Sequence, residues 1–455
     1  MEATAAPEPA GMKRGVEPVA DVDFLVLGAG AAGEAAAGLA LARGASVAVI
    51  EDELVGGACA YWACMPSKAL LHAAAVHHGG GDFPWQKASE FRDYMINRSA
   101  GDELPDDSSR LAAITDQGGR LIRGRARLAG PGRVVVTERG GGTRELTARH
   151  ILIAVGSHAR VPEIDGLREG RYWTNRQGTS TRELPRSLLV MGGGPTGVEM
   201  AQVFARYGVP TTIVDSNPRL LSRDHPRNAQ AVREGLERDG VTVRLGVRAT
   251  RVDPSAGDDG AHRVHLSDGP PVTGHEILVA VGRALPLDDL GLETVGVELD
   301  ERGVVHPDSS MRIAPDVFVV GDASGPELHT HLAHYQGEMA VRIALGEEIG
   351  PDYKAIPRAV YTDPETGSVG LLLEEAIEKG FDAFEETEDL AASAKGYLTQ
   401  SGGHVTIVVD RRDQVLVGAF IAGRGASEAI HEAVLAVKLG VPLHVLADTI
   451  HAFPT

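Results

Sequence analysis

The feature that most constrains the fold of this chain is a strand–glycine–helix–strand unit that occurs twice with identical spacing. In the first copy, an apolar run leads into Gly28, Gly30 and Gly33, and an alanine-rich stretch stops near Gly44 before a second apolar run that ends in Glu51. The second copy repeats these positions as Gly192, Gly194, Gly197, Gly208 and Asp215. The first glycine and the acid are 23 positions apart in both copies, so the chain is predicted to contain one folding unit twice.

Each copy has the properties of a dinucleotide-binding turn. The glycines allow the backbone to approach a pyrophosphate at the N-terminus of the following helix, where free N–H groups and the helix dipole favour an anion. The carboxylate at the end of the second strand accepts hydrogen bonds from ribose hydroxyls. The alternative is a turn that only packs a helix against a strand. Two copies predict an α/β protein with two Rossmann-like dinucleotide-binding domains and two bound dinucleotides.

Three further positions follow apolar runs. Gly156 and Gly282 each end a strand-like segment, and they are expected to mark where the chain crosses between the two units. Asp322 follows another buried-looking run, so it is either a second ligand for a hydroxylated part of a cofactor or a turn aspartate. From Pro351 onward, segments of alternating apolar and polar residues, typical of strands, precede a helix. This pattern predicts a separate C-terminal α+β domain that makes an interface.

The length of 455 residues is too great for a single core, because cores rarely exceed about 250–300 residues. We expect a disordered leader over 1–20, a first nucleotide domain over 21–157 that continues over 284–350, a second over 158–283, and an interface domain over 351–455. The leader is rich in Ala, Pro and Glu and has no apolar core of a signal peptide.

The charge balance excludes one class of partner. Lys and Arg number 44 against 63 Asp and Glu, and the net charge of −19 disfavours a nucleic-acid partner. No stretch approaches 18 uninterrupted apolar residues, so neither a membrane span nor a membrane partner is expected, and the predicted location is the cytoplasm.

The only two cysteines lie close together in the sequence, at Cys59 and Cys64. Pro66 marks the first turn of a helix, which places Cys64 at a helix N-terminus and favours its thiolate. A disulfide across so short a loop adds only about 2 kcal/mol of stability, so reversible redox chemistry is the favoured use of the pair. Ordinary buried thiols are one alternative. The other is a metal site that adds nearby histidines to the two cysteines, from among His72, His77 and His78.

Over residues 21–455 the sequence resembles the pyridine nucleotide–disulfide oxidoreductases, the class I flavoprotein disulfide reductases that include dihydrolipoamide dehydrogenase, glutathione reductase and mercuric reductase. The resemblance is carried by the two glycine turns in this order, the Cys-x4-Cys-x-Pro-Ser-Lys element at Cys59, the Gly321-Asp322 element and the C-terminal segment. It implies a homodimer built through that C-terminal domain, with electrons passing from a nicotinamide through a flavin to the two cysteines.

The resemblance also assigns the cofactor residues by position. FAD would be held by Gly28, Gly30, Gly33, Glu51, Gly57, Gly156 and Asp322. NADH would be held by Gly192, Gly194, Gly197, Asp215 and Gly282. Lys68 matches the family's lysine beside the flavin, and Glu199 matches the ion-pair partner of that lysine. The alternative is that both residues are solvated charges on a helix surface. Asp215 favours NADH because its charge repels a 2′-phosphate. NADPH stays an alternative because Arg219 and Arg223 lie nearby in the sequence and could bind that phosphate.

The tail departs from the family pattern. Phe453 stands where the family has its acid–base histidine, and the glutamate that supports that histidine does not follow. His451 is either a substitute or an ordinary interface histidine. Pro195 stands in place of the aromatic gate over the nicotinamide pocket. The absence of further cysteines argues against a mercuric reductase, which needs a second pair to receive its metal.

These features predict an NAD(P)H-dependent flavoprotein oxidoreductase whose catalytic residues are Cys59, Cys64, Lys68, Glu199 and His451. The expected acceptor is a small molecule that needs little acid catalysis, such as a quinone or an activated disulfide. The alternatives are a disulfide reductase in which His451 or a water replaces the missing histidine, and a redox-sensing flavoprotein. Tyr61 and Trp62, between the cysteines, would either stack a flat acceptor or pack in the core.

Overall fold

The structure is a computed structural model that describes residues 20–257, 259–325 and 327–455. The predicted disordered leader therefore lies outside the described residues, apart from Ala20. The first part of the chain forms β1 (Val22–Leu27), α1 (Ala31–Ala42), β2 (Val47–Glu51), α2 (Gly57–Tyr61), α3 (Cys64–His78), α4 (Trp85–Met95), α5 (Ser108–Thr115), β3 (Arg120–Leu128), β4 (Arg133–Glu138) and β5 (Thr143–Ile153).

The middle of the chain forms β6 (His158–Ala159), α6 (Asn175–Ser180), β7 (Leu188–Met191), α7 (Pro195–Arg206), β8 (Thr211–Asp215), α8 (Pro226–Arg238), β9 (Thr242–Leu245), β10 (Ala249–Asp253), β11 (His262–Leu266), β12 (Val272–Gly274), β13 (Glu276–Val279), β14 (Arg283–Ala284), β15 (Arg312–Ala314), β16 (Val317–Val319) and α9 (Thr330–Ala344), with short 3-10 helices at Leu292–Val295 and Gly321–Ser324.

The C-terminal part forms β17 (Arg358–Val360), β18 (Thr366–Gly370), α10 (Leu373–Glu378), β19 (Ala383–Asp389), α11 (Ala394–Thr399), β20 (His404–Asp410), β21 (Val415–Ala422), α12 (Ala426–Leu439) and α13 (Leu443–Asp448), with a 3-10 helix at Leu390–Ala392. Its five strands make one antiparallel sheet in the order β17-β18-β21-β20-β19. Helix α12 packs on this sheet through Ala426 and Ile430. This is the α+β texture predicted from Pro351 onward.

The sheet of the second nucleotide unit is parallel, whereas that of the first has a parallel core extended by the antiparallel pairs β3–β4, β4–β5 and β15–β16. In the first, β1 pairs in parallel with β2 and β5, and β16 pairs in parallel with β5. Strand β16 lies far along the chain, so residues after the second unit return to complete the first sheet. In the second, the order is β13-β7-β8-β9, all parallel. Buried aliphatic strands with helices on their faces are typical of doubly wound α/β proteins.

The connection between the two units is narrow. Strand β6 leads into the second unit and β14 leads out of it, and the two pair antiparallel through His158–Ala284 and Ala159–Arg283. Gly282 stands immediately before β14, and Gly156 stands two positions before β6.

Helices α1 and α9 pack unusually closely. A Cβ placed on Gly337 of α9 would lie 2.3 Å from the Ala32 carbonyl oxygen of α1. The facing residues of α1, including Ala36 and Ala40, are fully buried alanines, which explains how the two backbones approach. The N-terminus of α9 is thereby fixed beside the cysteine pair.

Candidate active site

The first glycine turn forms a cradle for a dinucleotide. A Cβ on Gly33 would lie 1.9 Å from the Gly28 carbonyl oxygen, so the start of α1 is pressed against β1. Gly30, by contrast, has no heavy atom nearer than 3.9 Å to its Cβ position, and that atom is the Gly57 Cα. This open backbone at the helix N-terminus fits the pyrophosphate of FAD.

Glu51 lies at the rim of that cradle. Its Oε2 accepts a hydrogen bond from the Ala29 N–H at 2.7 Å, and its Oε1 accepts one from the Glu53 N–H at 2.7 Å. Burial raises the pKa of Glu51, while these two hydrogen bonds act in the opposite direction. The carboxylate is therefore positioned by the turn itself, with lone pairs left for ribose hydroxyls.

The second turn reproduces the first in detail. The Cβ position of Gly197 is 1.9 Å from the Gly192 carbonyl oxygen, and Gly194 has open space at its Cβ position. The Gly193 N–H donates to Asp215 Oδ2, just as Ala29 donates to the acid of the first unit. Two copies of the sequence pattern thus give two cradles of the same geometry.

The arginines near Asp215 are occupied elsewhere. Asp215 Oδ1 accepts from the backbone and side-chain amides of Asn217 at 2.7 and 2.8 Å. Arg219 Nη2 donates to the carbonyl oxygens of Ser222 and Asp224 at 2.8 and 3.3 Å. The charge of Arg223 acts on Glu327.

Cys59 and Cys64 lie on consecutive helices with both thiols free. Cys64 is the first residue of α3, as predicted from the position of Pro66. The pKa of Cys64 is lowered to about 6, chiefly because the Cys59 thiol donates a hydrogen bond to it, with further help from Thr330 and the Lys68 charge. The same hydrogen bond, together with burial, raises the pKa of Cys59. These shifts favour Cys64 as the thiolate and Cys59 as the neutral thiol.

Lys68 and Glu199 form an ion pair beside the cysteines. Lys68 Nζ lies 3.0 and 2.8 Å from the two Glu199 carboxylate oxygens. The Glu199 side chain is only 4% exposed, so this glutamate is no solvated helix charge. Tyr361, which the sequence did not single out, donates its N–H to Glu199 Oε1 at 3.1 Å, and its ring centre lies 4.6 Å from Lys68 Nζ.

A second residue that the sequence did not single out touches the sulfur pair. Thr330 Oγ1 lies 3.3 Å from Cys64 Sγ. The two residues are 266 positions apart, and no local pattern in the sequence connects them. Arg110, which the sequence also did not single out, pairs with Glu34 at 2.9 Å.

Asp322 lies at the junction of the two units. Its Oδ2 accepts from the Ser157 hydroxyl and lies 3.2 Å from Arg283 Nη2. Tyr61 and Trp62 are both buried, so the packing alternative applies to them. The Tyr61 hydroxyl donates to the Val55 carbonyl oxygen at 3.0 Å.

The tail is exposed in the single chain. Phe453 is 85% exposed. His451 Nε2 lies 2.7 Å from Glu432 Oε1, and this hydrogen bond, followed by one to the Thr449 carbonyl, raises the pKa of His451. A histidine–glutamate pair is therefore present two residues before the position of the family histidine.

Within residues 20–257, 259–325 and 327–455, no cluster of three or more His, Cys, Asp or Glu side chains is placed to bind a metal ion. In the same residues, no helix combines the length and apolar character that crossing a bilayer requires.

Comparison with known proteins covers nearly the whole chain. The model of the pyridine nucleotide-disulphide oxidoreductase family matches residues 22–337, and the model of the dimerisation domain of that family matches residues 356–455. The dihydrolipoyl dehydrogenase of Halobacterium salinarum is 33% identical, covering 95% of this chain and 93% of that protein. The mercuric reductase of Streptomyces lividans is 32% identical with the same coverage.

Solved structures agree. The Cu(II) complex of the HOCl-induced flavoprotein disulfide reductase RclA of Escherichia coli superposes with a TM-score of 0.84 at 25% identity, over 95% of this chain and 96% of that chain. LpdA of Mycobacterium tuberculosis superposes with a TM-score of 0.84 at 26% identity, over 95% and 97% of the two chains.

These matches run through both nucleotide units, the cysteine pair and the C-terminal sheet, and they define the class as the flavoprotein disulfide reductases. The chain belongs to the pyridine nucleotide-disulphide oxidoreductase family. It is an NAD(P)H-dependent flavoprotein oxidoreductase that uses FAD, and the predicted fold class is confirmed.

Proposed function

We propose that the protein oxidises NADH and passes two electrons, through FAD and the Cys59–Cys64 pair, to a small acceptor, either a quinone or an activated disulfide. The observation that carries this proposal is the placement of the two free cysteines on consecutive helices, with Cys64 as the first residue of α3 and its Sγ 3.3 Å from the Thr330 hydroxyl. FAD, when bound, supplies the two-electron relay between the nicotinamide and the sulfurs. Cys64 holds the negative charge at the N-terminus of α3, and Cys59 keeps the proton and is the thiol assigned to the acceptor.

The nicotinamide nucleotide is proposed to be NADH. Asp215 presents a carboxylate where a 2′-phosphate would lie, and the guanidinium of Arg219 is turned to backbone carbonyls instead. We expect kcat/KM for NADH to exceed that for NADPH by at least tenfold. The Asp215→Ser substitution should lower this preference for NADH. A preference for NADPH in the unaltered protein would contradict this part of the proposal.

The choice of acceptor rests on Phe453, which stands in the C-terminal segment where the family has its acid–base histidine. A positioned acid or base adds about 10²–10⁴-fold to a rate, and Phe453 supplies none. A quinone or a disulfide with a low-pKa leaving thiol needs less protonation of the departing group. In the homodimer that we propose on the basis of the dimerisation domain, Phe453 would stand at the partner's cysteine pair.

A disulfide reductase is the second candidate, and the His451–Glu432 contact favours it, because it provides an acid–base pair close to the expected place. Cys59, Cys64, Lys68 and Glu199 would have the same roles in both candidates.

The test is an anaerobic titration with NADH followed by steady-state assays. NADH is expected to reduce the flavin and then the cysteine pair, with a long-wavelength thiolate–flavin absorbance. Turnover of a quinone is expected to exceed that of lipoamide, and Phe453→His to raise lipoamide turnover by about tenfold or more. Ile450→His, in the same exposed tail, is the matched control.

Three outcomes would redirect the proposal. High lipoamide turnover in the unaltered protein, lost in His451→Gln, would establish the disulfide reductase. No gain in Phe453→His would mean that this position does not limit disulfide chemistry. A flavin that NADH fails to reduce would favour the redox-sensing alternative.

A further inference from the structure

The N-terminus of α9 meets the cysteine pair through a single hydroxyl. Thr330 is the first residue of this 15-residue helix, and its Oγ1 lies 3.3 Å from Cys64 Sγ. A thiolate has no proton to give, so the hydroxyl is the donor when Cys64 is charged. The family resemblance assigned no role to this position.

The hydroxyl is held in place by the packing of its helix. Gly337 sets the backbone of α9 against Ala32 of α1, with a Cβ position only 2.3 Å from the Ala32 oxygen. Gln336, on the same helix, accepts the Gly321 N–H at 2.8 Å. His331 Nε2 lies 2.9 Å from the Pro357 carbonyl oxygen. Contacts to three other segments therefore fix where α9 begins.

The ionisable groups around Cys64 do not by themselves decide its charge state. Lys68 is paired with the buried Glu199, so much of its positive charge is offset. Burial of Cys64 opposes the thiolate, and the remaining favourable contacts are the Cys59 thiol and the Thr330 hydroxyl. The hydroxyl acts on Cys59 in the same direction, but burial and the Cys64 charge outweigh it there.

We propose that Thr330 is a positioning residue for the redox pair: its hydroxyl donates to Cys64 Sγ and thereby fixes Cys64, and not Cys59, as the resting thiolate of the reduced enzyme. This rests on the proposed use of the pair in electron transfer, but the assignment concerns only the reduced thiols. Their charge state can be measured with neither NADH nor an acceptor present.

The test isolates Cys64 in a Cys59→Ser background of the FAD-loaded protein. The rate of iodoacetamide alkylation is measured against pH, since only the thiolate reacts. Thr330→Val removes the donor with little change in side-chain shape. We expect it to raise the pH midpoint by about one unit, which is about tenfold slower alkylation at acid pH, and to leave the alkaline plateau unchanged.

Thr330→Ser is expected to restore the midpoint, and Thr115→Val, on the exposed face of α5, to leave it unaltered. An unchanged midpoint in Thr330→Val would overturn the proposal and leave the N-terminus of α3 as the source of the thiolate. A fall of the alkaline plateau would also overturn it, because it would show altered access to the sulfur. If Thr330→Val does not fold, Thr330→Ala is judged by the same two readings. Failure of the acceptor assays leaves these outcomes unaffected.

Discussion

Cys59 and Cys64 carry the same side chain five positions apart, and their surroundings give them opposite acid–base behaviour. Cys64 stands at a helix N-terminus and accepts hydrogen bonds from the Thr330 hydroxyl and the Cys59 thiol. At Cys59, the hydrogen bond that it donates to Cys64 and its burial raise the pKa and outweigh the opposing effect of Thr330. Hydrogen bonding to the charged form, rather than net charge nearby, is what separates them.

This environment predicts a pH dependence. The pKa of Cys64 is lowered to about 6, so its thiolate is present above that pH and is lost as the pH falls through it. In the NADH-reduced protein, the long-wavelength thiolate–flavin absorbance should decline with a midpoint near 6. A midpoint near the ordinary thiol value of about 8.5 would contradict the assignment.

The Lys68–Glu199 pair predicts two shifts of opposite sign. Glu199 raises and Lys68 lowers the pKa of Cys64. We therefore expect Glu199→Gln to move the thiolate midpoint down and Lys68→Met to move it up. Lys68→Met also leaves a buried carboxylate without its partner, and should destabilise the fold by about 1–3 kcal/mol in denaturant titration, because the lysine is itself partly solvated. Shifts in the same direction would show that the pair acts through structure alone.

At this scale, the sequence located the residues that belong to local patterns. Cys64 at a helix start follows from Pro66, and the pairing of Lys68 with Glu199 followed from the family resemblance. Thr330 and Tyr361 were not predictable, because each reaches the site from an element distant in sequence, and only the packing of α9 and of the C-terminal domain brings them there.

At the scale of the element, the two glycine turns are the same device used twice. The helices stop at Gly44 and Gly208, both in left-handed conformation with φ of +79° and +80°, where the sequence predicted the stops. The long strand β5 was only partly predicted: its apolar end at Ile151 was visible, but its start is polar and exposed, and it is a strand only because β4 pairs with it.

Because each glycine turn forms its own cradle, we expect a substitution in one turn to impair the binding of one dinucleotide and not the other. In Gly197→Ala, the new methyl group would lie 1.9 Å from the Gly192 oxygen and displace the helix from the nicotinamide cradle. KM for NADH should rise by about tenfold or more while the protein stays yellow. Gly33→Ala, at the equivalent place, should instead release the flavin.

Gly38→Ala is the control, because nothing lies within 4 Å of its Cβ position on α1. It should retain both the flavin absorbance and the KM for NADH. Equal loss of flavin in the Gly33 and Gly197 variants would show that the two cradles are not independent.

At the scale of the whole molecule, the second nucleotide unit is joined to the C-terminal sheet through buried histidines. His225 caps the N-terminus of α8, its Nε2 lies 3.1 Å from Glu385 Oε2 of β19, and its ring stacks on Phe420 of β21. His404 of β20 is buried beside it, and its pKa is lowered to about 4, by burial first and then by the charges of His225 and Arg227.

This contact predicts acid destabilisation. In the unfolded chain His404 takes up a proton near pH 6.5, but in the folded protein it does so only near pH 4, so the free energy of unfolding falls as pH drops through that interval. The loss from this residue should be at most about 3 kcal/mol. Denaturant titration of His404→Gln should show a shallower pH dependence, and the exposed His306→Gln should not. Equal slopes in all three proteins would contradict the assignment.

The pairing of β6 with β14, where the chain enters and leaves the second nucleotide unit, has an evolutionary consequence. The chain enters and leaves the second nucleotide unit side by side, at His158–Ala284 and Ala159–Arg283. A module whose ends meet can be spliced into a host fold, or exchanged for another, without stretching the host's own connections. A gene duplication that inserted a copy of the first glycine turn at the β6–β14 connection would explain why one polypeptide contains two nucleotide cradles of the same geometry.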